Sequence, residues 1–338
     1  MQAIFAVTFP FFALVLLGYL AAQRRVLPDS AIPGLNAFVL FFALPCMLFR
    51  FGASRPFAQL IDPALIGIYG ACALLMVLFS IALTLQRGPS GPGVPLKDAA
   101  FGALVATFPN AGFMGVPLLV GLLGERAAGP LIGAILVDLV VTSSLCLALA
   151  QMQTGGTERP GPPDEGAEPH DSVFASFVRA LRGALSNPLP WAIALGAIVA
   201  ASGLALPEPL AQIIKMLGDA ATPVALFTIG AVLWRAGQHA HTATPLSGYL
   251  PLALVKLLVH PLLVLSAGVI ARALGASVPA FGLMVLVLTA ALPSASNVSI
   301  LAERYGADNG RVARIIMLST VLAFGTFSVF AWVMGAGV

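Results

Sequence analysis

Two stretches of this sequence carry amide and hydroxyl side chains beside a proline, inside runs that are otherwise apolar. They are residues 107–112 (TFPNAG) and 291–297 (ALPSASN), and Pro293 follows Pro109 by 184 residues. A proline removes one backbone donor and clashes with the preceding turn, so a helix should unwind at each place. Unwound backbone at membrane depth is tolerated where it lines a protected polar cavity rather than lipid. The pair therefore predicts a transporter binding site made of two interrupted helices.

Asn110 and Asn297 are the strongest candidates for contact with a ligand. An amide offers donors and acceptors, and the half-helix after each break presents free N–H groups at the positive end of its dipole, which suits a carboxylate. Alternatively, each amide satisfies backbone groups that its own proline has freed. Further substrate-binding candidates at the two breaks are Pro109, Gly112, Pro293, Ser294 and Ser296. Gly112 can equally serve close helix packing.

Three ionisable residues inside apolar runs are candidates for coupling or charge recognition: Asp138, Lys256 and His260. A carboxyl group at mid-depth is costly, so Asp138 should face a cavity or a partner and is suited to carry a proton. The alternative is a structural hydrogen bond to the broken fourth helix. Lys256 and His260 are four apart and share a helix face. Lys256 is expected to recognise an anion, to pair with Asp138 or to extend to the inner interface, and His260 is either a proton relay or a satisfied buried histidine.

Asp219 and Thr222 precede Pro223 and are expected to line one side of the cavity. His239 and His241 are interpreted as solvated loop residues, because two histidines without a third ligand are weak evidence for a metal. We predict no metal and no cofactor.

Enzymatic function is not expected, because the sequence has no GxGxxG, P-loop, HExxH or GxSxG pattern. An intramembrane aspartyl protease would need Asp138 and Asp219 to share a proton. Neither residue has the glycine-rich flank that would let a substrate backbone approach.

Composition places these residues in a membrane protein. Apolar residues make up 59% of the 338 residues, charged residues 9%, and the mean hydropathy is +0.97. About 20 apolar residues cross the hydrocarbon core. Ten such spans are predicted, at residues 4–23, 32–50, 63–85, 99–123, 129–152, 189–206, 211–234, 248–271, 278–302 and 312–335.

The distribution of Lys and Arg predicts the orientation. With the N-terminus outside, eleven basic residues fall on the inner side and five on the outer side. The inner set is Arg24, Arg25, Arg87, Lys97, Arg159, Arg179, Arg182, Arg235, Arg304, Arg311 and Arg314; the outer set is Arg50, Arg55, Arg126, Lys215 and Arg272. Both termini are therefore expected outside the cytoplasm, in the periplasm of a bacterial inner membrane.

The chain divides at one long polar stretch, residues 153–171, whose Gly, Pro and acidic composition is typical of a flexible linker. Residues 173–185 follow as an interfacial helix or as an extension of the sixth span. The predicted domains are a five-helix repeat over 1–152, a cytoplasmic linker over 153–188 and a second repeat over 189–338. Pro45 and Pro223 lie 178 residues apart in the second and seventh spans, close to the 184-residue offset of the two breaks. Since each half has an odd number of spans, the second copy is inverted.

Three motifs resemble those of the auxin efflux carrier family: residues 35–45 (LNAFVLFFALP), 107–118 (TFPNAGFMGVPL) and 292–297 (LPSASN). This family includes the plant PIN-FORMED auxin transporters and bacterial permeases assigned to malonate or malate. The resemblance covers nearly the whole chain. It implies an all-α fold of ten transmembrane helices, arranged as two inverted five-helix repeats in which broken crossover helices, spans 4 and 9, meet near the midplane. It further implies a scaffold of spans 1, 2, 6 and 7, a transport domain of the other spans, and small carboxylates as substrates.

The predicted function is a secondary transporter that moves a small organic anion, such as malonate or malate, by alternating access. No acidic cluster resembles a sodium cage, which favours H⁺ coupling or uniport over Na⁺. The expected partners are the carboxylate and the lipid bilayer, not nucleic acid, and a homodimer is left open. The alternatives are a sodium-coupled organic anion symporter of the bile-acid-transporter type and a membrane sensor or channel that does not transport.

Overall fold

The computed structural model describes residues 2–53, 62–85, 94–152, 188–238 and 245–336, and within these ranges the regular structure is helical, without strands. The linker and the helix expected at 173–185 lie outside the described residues, as do His239 and His241. The helices are α1 Gln2–Gln23, α2 Ala31–Ala53, α3 Pro63–Leu85, α4 Leu96–Thr107, α5 Ala111–Leu123, α6 Glu125–Gln151, α7 Pro188–Ser202, α8 Glu208–Gln238, α9 Leu246–Ala273, α10 Ala280–Ala290, α11 Asn297–Arg304 and α12 Asn309–Val333.

Six of these helices are continuous and apolar over a length that can cross a bilayer, namely α2, α3, α6, α8, α9 and α12. The apolar parts of α1, α5, α7 and α10 are shorter. Large apolar side chains cover the outside of the molecule, among them Phe41, Leu78 and Ile198, which are 57%, 61% and 61% exposed. Since a soluble monomer rarely exposes apolar patches of this extent, the chain is a membrane protein.

Both predicted breaks are present. Helix α4 ends at Thr107 and α5 begins at Ala111, while α10 ends at Ala290 and α11 begins at Asn297. A helix lies in every predicted span, the fourth and ninth as these pairs of half-helices.

The two other prolines in register, Pro45 and Pro223, do not break their helices. Pro45 lies within the continuous α2, and Pro223 lies inside the uninterrupted 31-residue α8.

Three of the prolines widen the helix turn before them instead of breaking the helix. Five-residue π-helical segments lie at Val39–Ala43, Ala111–Gly115 and Val255–Val259, and Pro45, Pro117 and Pro261 each follow two residues after such a segment. A proline ring clashes with the carbonyl four residues earlier, and here that carbonyl lies at the centre of the wider turn. The wider turn gives the ring room, so the helix continues.

Four helices pack in two closely related crossings, α1 against α8 and α7 against α2. A Cβ atom added to Gly18 would fall on the backbone carbonyl of Phe227, and one added to Gly230 on that of Val15. Gly52 and Gly196 meet the facing backbones of α7 and α2 in the same way. Each crossing therefore depends on a pair of glycines that lets two backbones touch.

The remaining helices form the other side of the molecule. Helix α3 packs against α4 and α6, α9 against α10 and α3, and α12 against α9 and α4. The two breaks lie at the centre, where residues of α5, α10 and the second break join the main apolar core.

Candidate functional site

The two breaks pair with each other through their backbones. The Asn110 N–H donates to the Pro293 carbonyl at 2.8 Å, and the Ala295 N–H donates to the Phe108 carbonyl at 3.0 Å. Together they form one isolated antiparallel bridge centred on Pro109 and Ser294. Each proline frees backbone groups of its own helix, and the opposite break supplies their partners, which removes the cost of leaving them unpaired in an apolar interior.

Asn110 lies within the first break and is 4% exposed. Its carbonyl accepts from the N–H groups of Met114 and Gly115, at 3.1 and 2.9 Å, and so starts the wide turn of α5. Both backbone groups of Asn110 are thus used, the N–H across the crossing and the carbonyl in α5. Its amide side chain lines a cleft.

The cleft lies beside the crossing and contains about 460 Å³ of empty space, including its open mouth. Among the described residues that line it, Asp138 is the one ionisable group, Asn110 and Asn297 are the two amides, and most others are apolar. The lining residues are Leu40, Phe108, Pro109, Asn110, Ala111, Gly112, Phe113, Ile135, Asp138, Leu139, Leu189, Ala295 and Asn297. A mostly apolar cleft with a few convergent polar groups is typical of a small-molecule site.

Asp138 begins a π-helical turn, Asp138–Thr142, in the middle of α6 and is 1% exposed. Its carboxylate accepts from the hydroxyl of Tyr69, at 2.9 Å, and from that of Thr142, at 3.0 Å. The expected alternative, a hydrogen bond to the broken fourth helix, is therefore not the interaction that holds it. Its partners lie on α3 and on its own helix.

Lys256 and His260 are fully buried in α9, at the start and just after the end of its wide turn. The Lys256 ammonium donates to the carbonyl of Ala290 at 2.8 Å and lies 3.2 Å from Nδ1 of His260. Ala290 is the last residue of α10, so the ammonium neutralises the negative end of a half-helix at the second break. The extension of Lys256 to the inner interface is excluded by this burial.

A row of buried side chains lies between the cleft and this lysine. The hydroxyl of Tyr69 donates to Asp138, and the ring of Tyr69 lies 5.8 Å from the ring of His260, centre to centre. The rings of Tyr69 and His260 therefore lie between Asp138 and Lys256, and these two residues form no direct ion pair within the described residues. Nε2 of His260 has no hydrogen-bond partner within the described residues.

The structure brings five predicted residues to one cleft: Pro109, Asn110, Gly112, Asp138 and Asn297. Pro293 and Ser294 are buried in the crossing behind it, and Ser296 and Thr222 are half-buried; none of these four is part of the lining. Their substrate contacts stay predictions.

Asp219 lies away from the cleft. Its carboxylate accepts from Arg50 at 2.7 Å and from Lys215 at 2.8 Å, and it is 51% exposed. This ion pair joins α2 to α8. Asp219 is half-exposed and ion-paired, whereas Asp138 is buried at the cleft. This difference does not support a shared proton between them.

Two residues of the site were missed from the sequence, Tyr69 and Thr142. Tyr69 stands in the apolar run of α3, where a search for every hydroxyl inside a span would have found it. Its pairing with Asp138 has no sequence signal, since the two residues are 69 positions apart.

Residues 3–331 match the sequence model of a family described as "Membrane transport protein". A protein of Rhizobium meliloti (strain 1021) named "Putative malonate transporter" is 29% identical, over 100% of this chain and 98% of its own length. Auxin efflux carrier component 8 of Arabidopsis thaliana is 23% identical over 94% of both chains, and the uncharacterized transporter YfdV of Escherichia coli K12 is 26% identical over 88% of this chain and 86% of its own.

Proposed function

The chain belongs to the membrane transport protein family, which confirms the resemblance to the auxin efflux carriers, and from that premise we propose that it is a secondary transporter of a small organic carboxylate such as malonate or malate. The family and its relatives are transporters, not enzymes. The observation that carries the proposal is the cleft at the crossing, where two amides converge on an apolar pocket.

The chemistry of the lining fits a carboxylate. The Asn110 and Asn297 amides donate hydrogen bonds to its oxygens, and the first turns of α5 and α11 add the positive ends of their dipoles. Leu40, Phe108 and Phe113 accommodate the short carbon chain. A rearrangement of the cleft adds four further predicted residues to this set, namely Thr222, Pro293, Ser294 and Ser296.

The charge of the lining favours coupling to H⁺. An anion in the cleft would meet the Asp138 carboxylate with no Lys or Arg among the described lining residues to offset the repulsion. A proton on Asp138 removes this repulsion, so proton and anion bind together. Lys256 and His260 then supply positive charge and a relay behind Tyr69. Na⁺ coupling is disfavoured, because the described lining offers one carboxylate rather than an acidic cluster.

Internal symmetry supports alternating access. Gly18 and Gly196 lie 178 residues apart, as do Gly52 and Gly230, and as do Pro45 and Pro223. Gly18 and Gly230 sit in one crossing and Gly52 and Gly196 in the other, so the repeat operation exchanges the two crossings. We infer two inverted five-helix repeats, over 1–152 and 189–338, with α1, α2, α7 and α8 as the scaffold.

In this arrangement the chain crosses the inner membrane ten times, with both termini in the periplasm and residues 153–188 in the cytoplasm. A transport domain of the other helices moves against the scaffold. A dimer through the scaffold is compatible with this arrangement.

The test is uptake of radiolabelled malonate into proteoliposomes that contain the purified protein. We expect saturable uptake, accelerated by unlabelled malonate inside the vesicles, because a carrier with a bound substrate reorients faster than an empty one. A non-saturable flux would indicate a channel, and absence of flux with retained binding would indicate a sensor. Acceleration by an inward Na⁺ gradient, but not by a pH gradient, would favour the sodium-coupled alternative.

A further inference from the structure

Helix α12 holds the second broken helix at two points, one on each side of Asn297. The Ser294 N–H, inside the break, donates to the hydroxyl of Ser319 at 3.2 Å. The Ser299 hydroxyl, in the first turn of α11, donates to Oδ1 of Asn309 at 2.6 Å. Asn297 lies between the two attached residues and faces the cleft.

The contact at Ser319 is buried, and the contact between Ser299 and the half-buried Asn309 is partly buried. Ser319 is fully buried and Ser299 is 7% exposed. The Ser319 hydroxyl also donates to the carbonyl of Ile316 at 3.0 Å, so its donor and its acceptor are both used and its orientation is fixed. A buried hydrogen bond with fixed geometry is costly to lose, because the remaining partner is left without water.

The Asn309 end of this attachment is itself anchored. Asp308 caps α12 by accepting from the Arg311 N–H at 2.9 Å, and its own N–H donates to the carboxylate of Asp98 on α4 at 2.8 Å. The Arg311 side chain donates to the carbonyl of Gly248 on α9 at 3.0 Å. Asn309 thus belongs to a junction of three helices and provides a fixed point for α11.

Helix α11 needs such a fixed point because it has eight residues. Isolated helices below about 12 residues are marginal even with favourable sequences, so a two-turn helix takes its position from tertiary contacts. Nothing in the sequence of α11 alone would hold the Asn297 amide at a constant place in the cleft.

We propose that Ser299, Asn309 and Ser319 are positioning residues, which fix α11 on α12 so that Asn297 presents its amide to the substrate. This inference rests on the proposed carboxylate site. The three side chains do not line the cleft; they act on the substrate through Asn297.

Conservative variants separate positioning from bulk packing. Ser299→Thr keeps the donor and Asn309→Asp keeps the acceptor oxygen, whereas Ser299→Ala and Asn309→Leu remove them. We expect Ser299→Ala, Asn309→Leu and Ser319→Ala to raise the Kd for malonate about fivefold or more, with kcat for uptake nearly unchanged. Ser299→Thr and Asn309→Asp should stay within about twofold of the wild type.

The decisive comparison is made in an Asn297→Ala background. If Ser299 acts through Asn297, the double variant Asn297→Ala/Ser299→Ala binds malonate as weakly as Asn297→Ala alone. If the two losses multiply instead, Ser299 affects binding by another route and the positioning role is wrong.

Amide hydrogen exchange of Asn297–Arg304 without ligand keeps this inference separate from the proposed function. Faster exchange in Ser299→Ala and Asn309→Leu, but not in Ser299→Thr and Asn309→Asp, supports positioning of α11. If exchange behaves in this way while the wild type binds no carboxylate, the attachment stands and the proposed substrate fails. Unchanged exchange in all four variants overturns the attachment, whatever the protein transports.

Discussion

At the residue scale, the two asparagines of the cleft differ although both lie at breaks. Asn110 is 4% exposed and sits within its break, whereas Asn297 is exposed and opens a helix. The 184-residue offset between Pro109 and Pro293 aligns Asn110 with Ser294. The offset that relates the two breaks therefore does not relate the two amides, and we expect unequal contributions to binding.

Replacing Asn110 by alanine should weaken malonate binding more than replacing Asn297. A hydrogen bond to a charged group contributes about 1.5–3 kcal/mol, and the loss is largest where water cannot take its place, so Asn110→Ala should raise Kd roughly 10- to 100-fold. Titration calorimetry on the purified variants measures this. Asn36→Ala, a half-buried amide of α2 outside the cleft lining, is the matched control. Near-normal affinity in both cleft variants would assign the asparagines to structure alone.

Asp138→Asn should abolish the response of uptake to a pH gradient while malonate exchange across the membrane continues. The amide cannot take up or release a proton, and exchange does not require the empty carrier to reorient. Proteoliposomes with and without an imposed gradient measure both rates.

Asp219→Asn is the control, because that carboxylate is half-exposed and paired with Arg50 and Lys215 outside the cleft lining. If Asp138→Asn still follows the gradient, the proton site lies elsewhere, with His260 as the next candidate.

At the element scale, the half-helices depend on partners distant in sequence. Proline and its polar neighbours predict where a helix breaks, because they act on the turn beside them. They do not predict that the Asn110 N–H will bind the Pro293 carbonyl, nor that Lys256 will bind the end of α10. Pro45 shows the limit of local reasoning, since a wider turn absorbs the ring and α2 continues.

Lys256→Met should destabilise the protein and slow transport. Methionine is similar in length but leaves the buried carbonyl of Ala290 without its donor, a loss of about 1–3 kcal/mol. The apparent melting temperature in detergent measures the effect. Lys215→Met removes a half-exposed lysine of a surface ion pair and should change stability by less than about 1 kcal/mol. Equal melting temperatures for the two variants would contradict the role of Lys256 at the half-helix end.

At the scale of the whole molecule, two glycine crossings hold α1, α2, α7 and α8 together. The positions of the apolar helices could be predicted from hydropathy, since a bilayer selects for segment length and apolarity, and six of the described helices are long and apolar enough to cross it. The crossings could not be predicted from the sequence, because a glycine indicates a close approach of two helices only when the facing backbone is known. The 178-residue spacing of Gly18 and Gly196 is in the sequence, but it acquires meaning only from the carbonyl that each one meets.

Gly230→Ala should prevent stable assembly. Its methyl group would overlap the carbonyl of Val15 and force α1 and α8 apart. We expect loss of the monodisperse peak in size-exclusion chromatography. Gly67→Ala, in α3 with nothing within 4 Å of the added atom, should elute like the wild type. An intact peak for Gly230→Ala would show that the crossing tolerates separation.

Reporter fusions at both ends test the orientation. The bias of eleven basic residues against five predicts that alkaline phosphatase is active, and a cytoplasmic fluorescent protein dark, when fused at either terminus. The opposite result at the C-terminus alone would mean an odd number of crossings and would end the inverted-repeat proposal.

In each crossing, a helix from the start of the chain packs against a helix from the later part of the chain, α1 against α8 and α2 against α7. Gly18 of α1 meets the backbone of α8, and Gly52 of α2 meets the backbone of α7. Because α1 and α2 are synthesised before α7 and α8, their glycine faces stay unmatched until the later helices follow. We therefore expect α1 and α2 to enter the membrane before their crossings with α8 and α7 can form.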